Sequence, residues 1–109
     1  MDADERELLR IAIDTVDGPS PVVVLSGELD LSNAETLSDC LTKLIDTDTD
    51  VVIDMSDLRS IDSSGLTALA RARHRAELRG RAITVRRPGS MVALVLAITH
   101  LDRLFTIEQ

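Results

Sequence analysis

Two short apolar runs, Val22-Val23-Val24-Leu25 and Val51-Val52-Ile53, the latter continuing through Asp54 to Met55, constrain the fold of this chain most. Both are rich in β-branched residues and too short for buried helices, so they read as strands. The second has the continuous apolar character of a central strand in a parallel sheet. Between them, Leu37, Cys40, Leu41, Leu44 and Ile45 repeat at the spacing of one helix face. Parallel neighbours cannot be joined by a tight turn and need a crossover. Strand, helix and strand therefore predict a layered α/β unit.

The rest of the chain extends that pattern. Leu9 to Val16 alternates in part and predicts a strand; Gly18-Pro19-Ser20-Pro21 predicts a turn, giving a hairpin with the Val22 run. Ser32 and Glu35 have capping-box spacing and predict the start of the first helix. Asp46 to Asp50 is a polar loop. A second helix is expected from about Ser64 to Arg79, stopped at Gly80. Ala82 to Arg86 reads as a strand and Pro88-Gly89-Ser90 as a turn. Met91 to Ile98 reads as a third helix, and Leu104 to Ile107 as a last strand. The expectation is an α/β fold: one domain over residues 1–109, a mixed four- to five-stranded sheet with helices packed on it. Residues 1–7 are expected to form a flexible N-terminus.

Composition narrows the functional classes. With 109 residues and one aromatic, Phe105, the core must be built from Leu, Ile, Val and Ala. Base stacking on aromatic platforms has no residues to work with. The start, Met1-Asp2-Ala3-Asp4-Glu5, is acidic where a secretory signal would be basic. No apolar run approaches the roughly 20 residues of a membrane span. A lone Cys40 excludes an internal disulfide and any cysteine-pair metal site; on the apolar face of the first helix it reads as a packed thiol. His74 and His100 are not in metal-ligand spacing. A cytoplasmic protein without a cofactor is the expectation.

Charge is divided unevenly. Residues 1–58 hold 15 acids against 3 bases, and residues 59–109 hold 4 acids against 9 bases, for a net −7 overall. Arginines crowd between Arg71 and Arg87. A solvated helix face beside an acidic one explains them better than nucleic-acid binding, for which no motif is present. The apolar run from Met91 to Ile98 suits a core-covering helix, or one that docks on a membrane or partner.

The chemistry concentrates in Ile61-Asp62-Ser63-Ser64-Gly65-Leu66, which follows a strand and opens a helix. Backbone N–H groups there are unpaired, and the helix dipole favours negative charge. A serine so placed can cap the helix, hold an anion or accept a phosphoryl group. Asp30 and Asp62 have no His or Lys at a motif spacing, so acid–base catalysis is not indicated. No Gly-Lys-Ser/Thr phosphate loop is present. Catalysis by the chain itself is not expected.

Gly27-Glu28-Leu29-Asp30 followed by Ala34-Glu35-Thr36-Leu37 resembles the signature after the second strand of bacterial anti-sigma factor antagonists. Ile61 to Leu66 resembles the phosphorylation loop of the same family, the STAS domain. Pro88 to Ile107, with Leu101-Asp102-Arg103-Leu104-Phe105, resembles its C-terminal helix and strand. The resemblance implies a partner switch. An unphosphorylated antagonist binds an anti-sigma factor with serine kinase activity and so releases a sigma factor; the kinase phosphorylates the serine after the aspartate, and a phosphatase resets it. Carried over, Ser63 is the acceptor, and Asp30, Ser32, Asn33, Asp62, Ser63, Ser64 and Gly65 face the partner. Gly65 would leave room for a kinase backbone or nucleotide, and Asp62 would help orient Ser63. Two departures stand out: His100, where relatives often have glycine, and the basic Arg86-Arg87-Pro88. The rival reading is an unphosphorylated STAS scaffold subunit of a transport or stress-signalling complex; the intact Asp62-Ser63-Ser64-Gly65 speaks against it.

Overall fold

A computed structural model describes residues 8–15 and 18–109. The expected flexible segment 1–7, and Val16 at the end of the expected first strand, lie outside the described residues. The elements are β1 (Leu9–Asp14), β2 (Val22–Leu29), α1 (Ala34–Ile45), β3 (Val51–Ile61), α2 (Ser63–Leu78), β4 (Ile83–Arg86), α3 (Ser90–Ile98) and β5 (Thr106–Glu108). A short 3₁₀ turn, Leu101–Arg103, precedes β5.

The five strands form one mixed sheet in the order β1-β2-β3-β4-β5. β1 and β2 are antiparallel, as their hairpin requires, and every later pair is parallel and joined by a helical crossover. The expected class and element order therefore hold, with five strands and three α-helices among the described residues.

β3 is longer than its apolar run. It spans eleven residues, and its second half pairs with β2 alone, because β4 ends opposite Asp54. Two register shifts, between Val24 and Ser26 and between Gly27 and Glu28, bend this pairing. At the second shift Gly27 takes φ +103°, and a Cβ there would collide with the Leu8 carbonyl. Only glycine fits.

One face of the sheet carries the core. Val23, Leu25, Ile53, Met55 and Val85 are fully enclosed. Leu37, Leu41 and Ile45 of α1, Leu69 and Ala72 of α2, and Val92 and Leu96 of α3 close over them. The opposite face is different: Val22, Val24 and Val52 are half-buried and stand outside this core. The apolar runs thus mark central strands with one fully buried face, not two.

The basic and acidic halves meet as ion pairs. Arg75 grips Asp46 through two nitrogens, at 2.9 and 2.7 Å; Arg79 reaches Asp48 at 3.0 Å and Arg87 reaches Asp54 at 2.8 Å, while Arg86 pairs within its own half with Glu108 at 2.6 Å. The hydrogen bond from Arg75 holds the Asp46 carboxyl below its ordinary range. Much of the arginine cluster serves internal pairing on α2 and β4.

Candidate functional site

The two recognised segments converge at the C-terminal ends of β2 and β3. Leu29 pairs with Ile61, and the Asp62 N–H extends the ladder to the Leu29 carbonyl at 3.1 Å. The turn after β2 and the start of α2 are thereby held side by side. Glu28 and Arg59 pair across the same strands at 3.7 Å.

Asp62 is the N-cap of α2. Its backbone is extended, at φ −108° and ψ −174°, and its carboxylate accepts from the N–H of Ser64 at 2.9 Å and of Gly65 at 3.1 Å. Neither serine performs this task. A carboxylate one residue earlier is the better acceptor, since its charge also complements the helix dipole. Ser63 is the first residue of α2 and is exposed. Among the described residues no hydrogen bond holds its hydroxyl, while its carbonyl accepts from Thr67 Oγ1 at 2.9 Å. Ser64 is half-buried.

Gly65 has an internal reason to be glycine. It is buried, and a Cβ there would lie 2.6 Å from Leu29 Cγ and 2.9 Å from Ile61 Cγ1. Its bare Cα lets α2 begin directly against the strand ends. This packing role is a further reason for glycine at the position, beside the expected partner-facing one.

The Asp30 turn is equally ordered. The Asp30 carboxylate accepts from the Ser32 N–H at 2.9 Å and from the Ser32 hydroxyl at 2.6 Å. The Asp30 N–H donates to Asn33 Oδ1 at 3.0 Å, and Asn33 Nδ2 donates to the Glu28 carbonyl at 3.0 Å. The Ser32–Glu35 capping box is not formed: α1 begins at Ala34 with Asn33 as its N-cap, and no side chain caps it. The nearby Asp30 carboxylate draws the Ser32 hydroxyl backwards, which removes it from the helix.

From this edge a groove of about 540 Å³ runs between α1 and α2, bordered by Leu31, Ala34, Ser38, Ser64, Thr67 and Arg71. Leu31, 79% exposed, is the feature that motif reading missed. An apolar residue inside a polar turn was the signal for it.

Other candidates lie apart from the edge. Cys40 is half-buried on the flank of α1, where burial pushes its thiol up and Lys43 partly offsets this. Among the described residues no cluster of His, Cys, Asp and Glu could hold a metal ion. Among them, too, no helix is long and apolar enough to cross a membrane.

These features define a class: a small α/β domain that presents an exposed serine at a helix start, beside an ordered acidic turn. Residues 10–109 match the STAS domain family, and the chain belongs to it. A Thermotoga maritima protein described as an anti-sigma factor antagonist is 25% identical, with TM-score 0.78, covering 91% of this chain and 86% of that one. An anti-sigma factor antagonist from Mycobacterium paratuberculosis is also 25% identical, with TM-score 0.75 and coverage of 92% and 85%. SpoIIAA shares the fold in its unphosphorylated form at 20% identity, TM-score 0.75 and coverage of 92% and 89%. The phosphorylated form of Bacillus SpoIIAA does so at 19% identity, TM-score 0.69 and 92% coverage of each chain.

Proposed function

We propose that this chain is an anti-sigma factor antagonist whose binding edge is switched by phosphorylation of Ser63. The observation that carries the reading is the exposed Ser63 hydroxyl on the first residue of α2, directly after Asp62 and beside the Asp30 turn. The anti-sigma factor antagonists among its structural neighbours support the general role. SpoIIAA's occurrence in unphosphorylated and phosphorylated forms supports the switch.

In its unphosphorylated state the chain binds an anti-sigma factor that is also a serine kinase, and so frees a sigma factor. That partner supplies the nucleotide and the phosphoryl-transfer chemistry; this chain supplies the acceptor. A phosphatase restores the binding form. Exchange takes place in the cytoplasm.

The geometry suggests how the modification acts. A phosphoserine brings about −1.5 to −2 charges. A bare helix start would welcome them. Here the N–H groups of Ser64 and Gly65 already donate to Asp62. The phosphate is therefore repelled by the Asp62 carboxylate and turned outward, into the space a bound partner occupies. The sheet and core have no reason to rearrange.

The test is to incubate the chain with candidate anti-sigma kinases and ATP, then locate the added phosphate by peptide mass. The wild type and Ser64→Ala are expected to be modified at Ser63, and Ser63→Ala to remain unmodified with its fold and partner binding intact. Phosphate on Ser64, or on Ser63→Ala, overturns the assignment.

A further inference from the structure

We propose that the channel between α1 and α2 seats a helix of the anti-sigma factor, lying along α2 and continuous with the Ser63 edge. The inference rests on the anti-sigma reading above and adds to it a second contact of stated shape and charge. The groove of about 540 Å³ that starts at Leu31 and Ser64 does not stop in the middle of α2. A second groove, of about 590 Å³, continues it toward the C-terminal end of that helix, past Thr42, His74 and Leu78. Ser38, Thr67 and Arg71 border both, so the two form one channel. It follows the sixteen residues of α2, about 24 Å at a rise of about 1.5 Å per residue.

The shape of the channel selects a helix. On α2 its border is Ser64, Thr67, Arg71, His74 and Leu78, in steps of three, four, three and four residues. Such steps make a straight seam along one side of a helix. Both walls are α-helices whose backbone groups bond internally, so an extended segment finds no strand edge to pair with. Side chains alone must make the contact, and an amphipathic helix lays them into a groove of this kind. Ser38, Ser64 and Thr67 are small enough to let its backbone come close.

Charge selects the chemistry of that helix. Glu35 and Asp39 stand one turn apart on the α1 wall, facing Arg71 and His74 on the α2 wall. The neighbouring arginines are engaged: Arg73 by Glu77, Arg75 by Asp46 and Arg79 by Asp48. Arg71 is the one arginine of α2 that meets no carboxylate among the described residues, and Glu35 and Asp39 meet no cation among them. The two walls thus hold opposite charges that do not neutralise each other. Their complement is a helix with a carboxylate toward Arg71 and basic side chains toward Glu35 and Asp39. Apolar side chains of the same helix cover Leu31 and Leu78, which are 79% and 74% exposed at the two ends of the channel. Continuity assigns it to the anti-sigma factor. Leu31 follows Asp30 and Ser64 follows Ser63, so a partner on the Ser63 edge enters the channel without a break.

The probe is the anti-sigma kinase that modifies Ser63 in the assay above. Calorimetry gives its affinity for the full chain, and initial rates of Ser63 phosphorylation give kcat and KM. Arg71→Glu is expected to raise the dissociation constant and KM about tenfold with kcat unchanged, because the channel holds the partner and does not touch the acceptor. Leu78→Gln, at the end of α2 farthest from Ser63, is expected to raise both about threefold. Arg103→Glu changes the net charge as Arg71→Glu does, but beside the edge strand β5, and should alter neither constant. Unchanged far-ultraviolet circular dichroism checks that each variant is folded. If Arg71→Glu and Leu78→Gln bind as the wild type does, while Ser63 is still phosphorylated, the channel is overturned and the anti-sigma reading stands. An equal loss with Arg103→Glu reports overall charge and overturns the channel as well. A wild-type chain that no anti-sigma kinase binds or modifies removes the anti-sigma reading and this inference with it. A chain that dimerises on its own in sedimentation, through a contact that both channel variants abolish, gives the channel to a second copy and overturns the proposal.

Discussion

Replacing Gly65 with alanine tests how α2 is seated. An added Cβ would stand 2.6 and 2.8 Å from Leu29 Cγ and Cδ2 and 2.9 Å from Ile61 Cγ1. Carbon atoms rest comfortably at about 3.5–4.0 Å, so helix and strand ends must part by about 1 Å. Leu29 is 1% exposed and sits at the end of β2. Overpacking of this kind costs about 1–3 kcal/mol. Alanine's better helix propensity returns up to about 1 kcal/mol. The net expectation is a loss of about 1–2 kcal/mol, or about 5–10 °C in melting temperature for a domain of this size. Urea denaturation followed by circular dichroism measures it. A double-mutant cycle assigns the cause: a Leu29→Ala background removes two of the three close contacts and leaves only Ile61 Cγ1, so the cost of Gly65→Ala should shrink. Stability equal to the wild type in the single variant, or strict additivity in the cycle, would refute the packing argument.

Three further outcomes follow from single side chains. Asp62→Ala removes the α2 cap and should cost about 1 kcal/mol, whereas Ser64→Ala should change stability by less than about 0.5 kcal/mol in chemical denaturation. His100 follows α3 with φ +63°, a left-handed conformation that glycine adopts freely; His100→Gly should raise the melting temperature, worth up to about 1 kcal/mol. Burial opposes ionisation of Asp54, but hydrogen bonds from the Ser56 N–H and hydroxyl and from Arg87 at 2.8 Å outweigh it and lower its pKa. A carboxyl depressed in the folded state stabilises above its unfolded pKa of about 3.9, and that contribution fades as pH falls through the lower folded value. Asp54→Asn should therefore be less stable than the wild type by about 2 kcal/mol at pH 7, with the gap closing in melts below about pH 4.

What was legible in the sequence had a local cause. The Val22 and Val51 runs, the Leu37–Ile45 periodicity and the Gly80 stop each follow from the physics of one element. Gly80 indeed closes α2, with its N–H donating to the Glu77 carbonyl and that of Arg81 to the Ala76 carbonyl. What was not legible depended on neighbours distant in sequence. Ser56 to Ser60 lack strand alternation because the bends in the β2–β3 pairing interrupt their facing. Ser32 had the right spacing for a cap, yet Asp30 captured its hydroxyl. The packing of Gly65 against Leu29 and Ile61 depends on strand ends far from it in the sequence and left no local signal. For Met91 to Ile98 the sequence left core covering and docking open, because so apolar a helix gives no sign of which side meets solvent; Met91, Leu94 and Ile98 are on the exposed side.

The same limit applies to the site. The Asp30 and Asp62–Ser63 segments are separable motifs in the sequence, and their adjacency comes from the Leu29–Ile61 pairing. Family resemblance suggested that they share an edge; the ladder from Leu29 to Asp62 supplies the physical reason.

The central claim is that phosphate on Ser63 governs partner binding without refolding the domain. The most direct measurement is a calorimetric titration of one anti-sigma factor with the unphosphorylated chain and with the stoichiometrically phosphorylated chain. Amide chemical shifts of both free forms are recorded alongside. The account predicts that phosphorylation weakens binding about 150-fold, or about 3 kcal/mol, with shift changes confined to the Asp30 turn and the first turns of α2. Equal affinity of the two forms would contradict the switch, and shift changes spread through β1 and α3 would contradict its local mechanism.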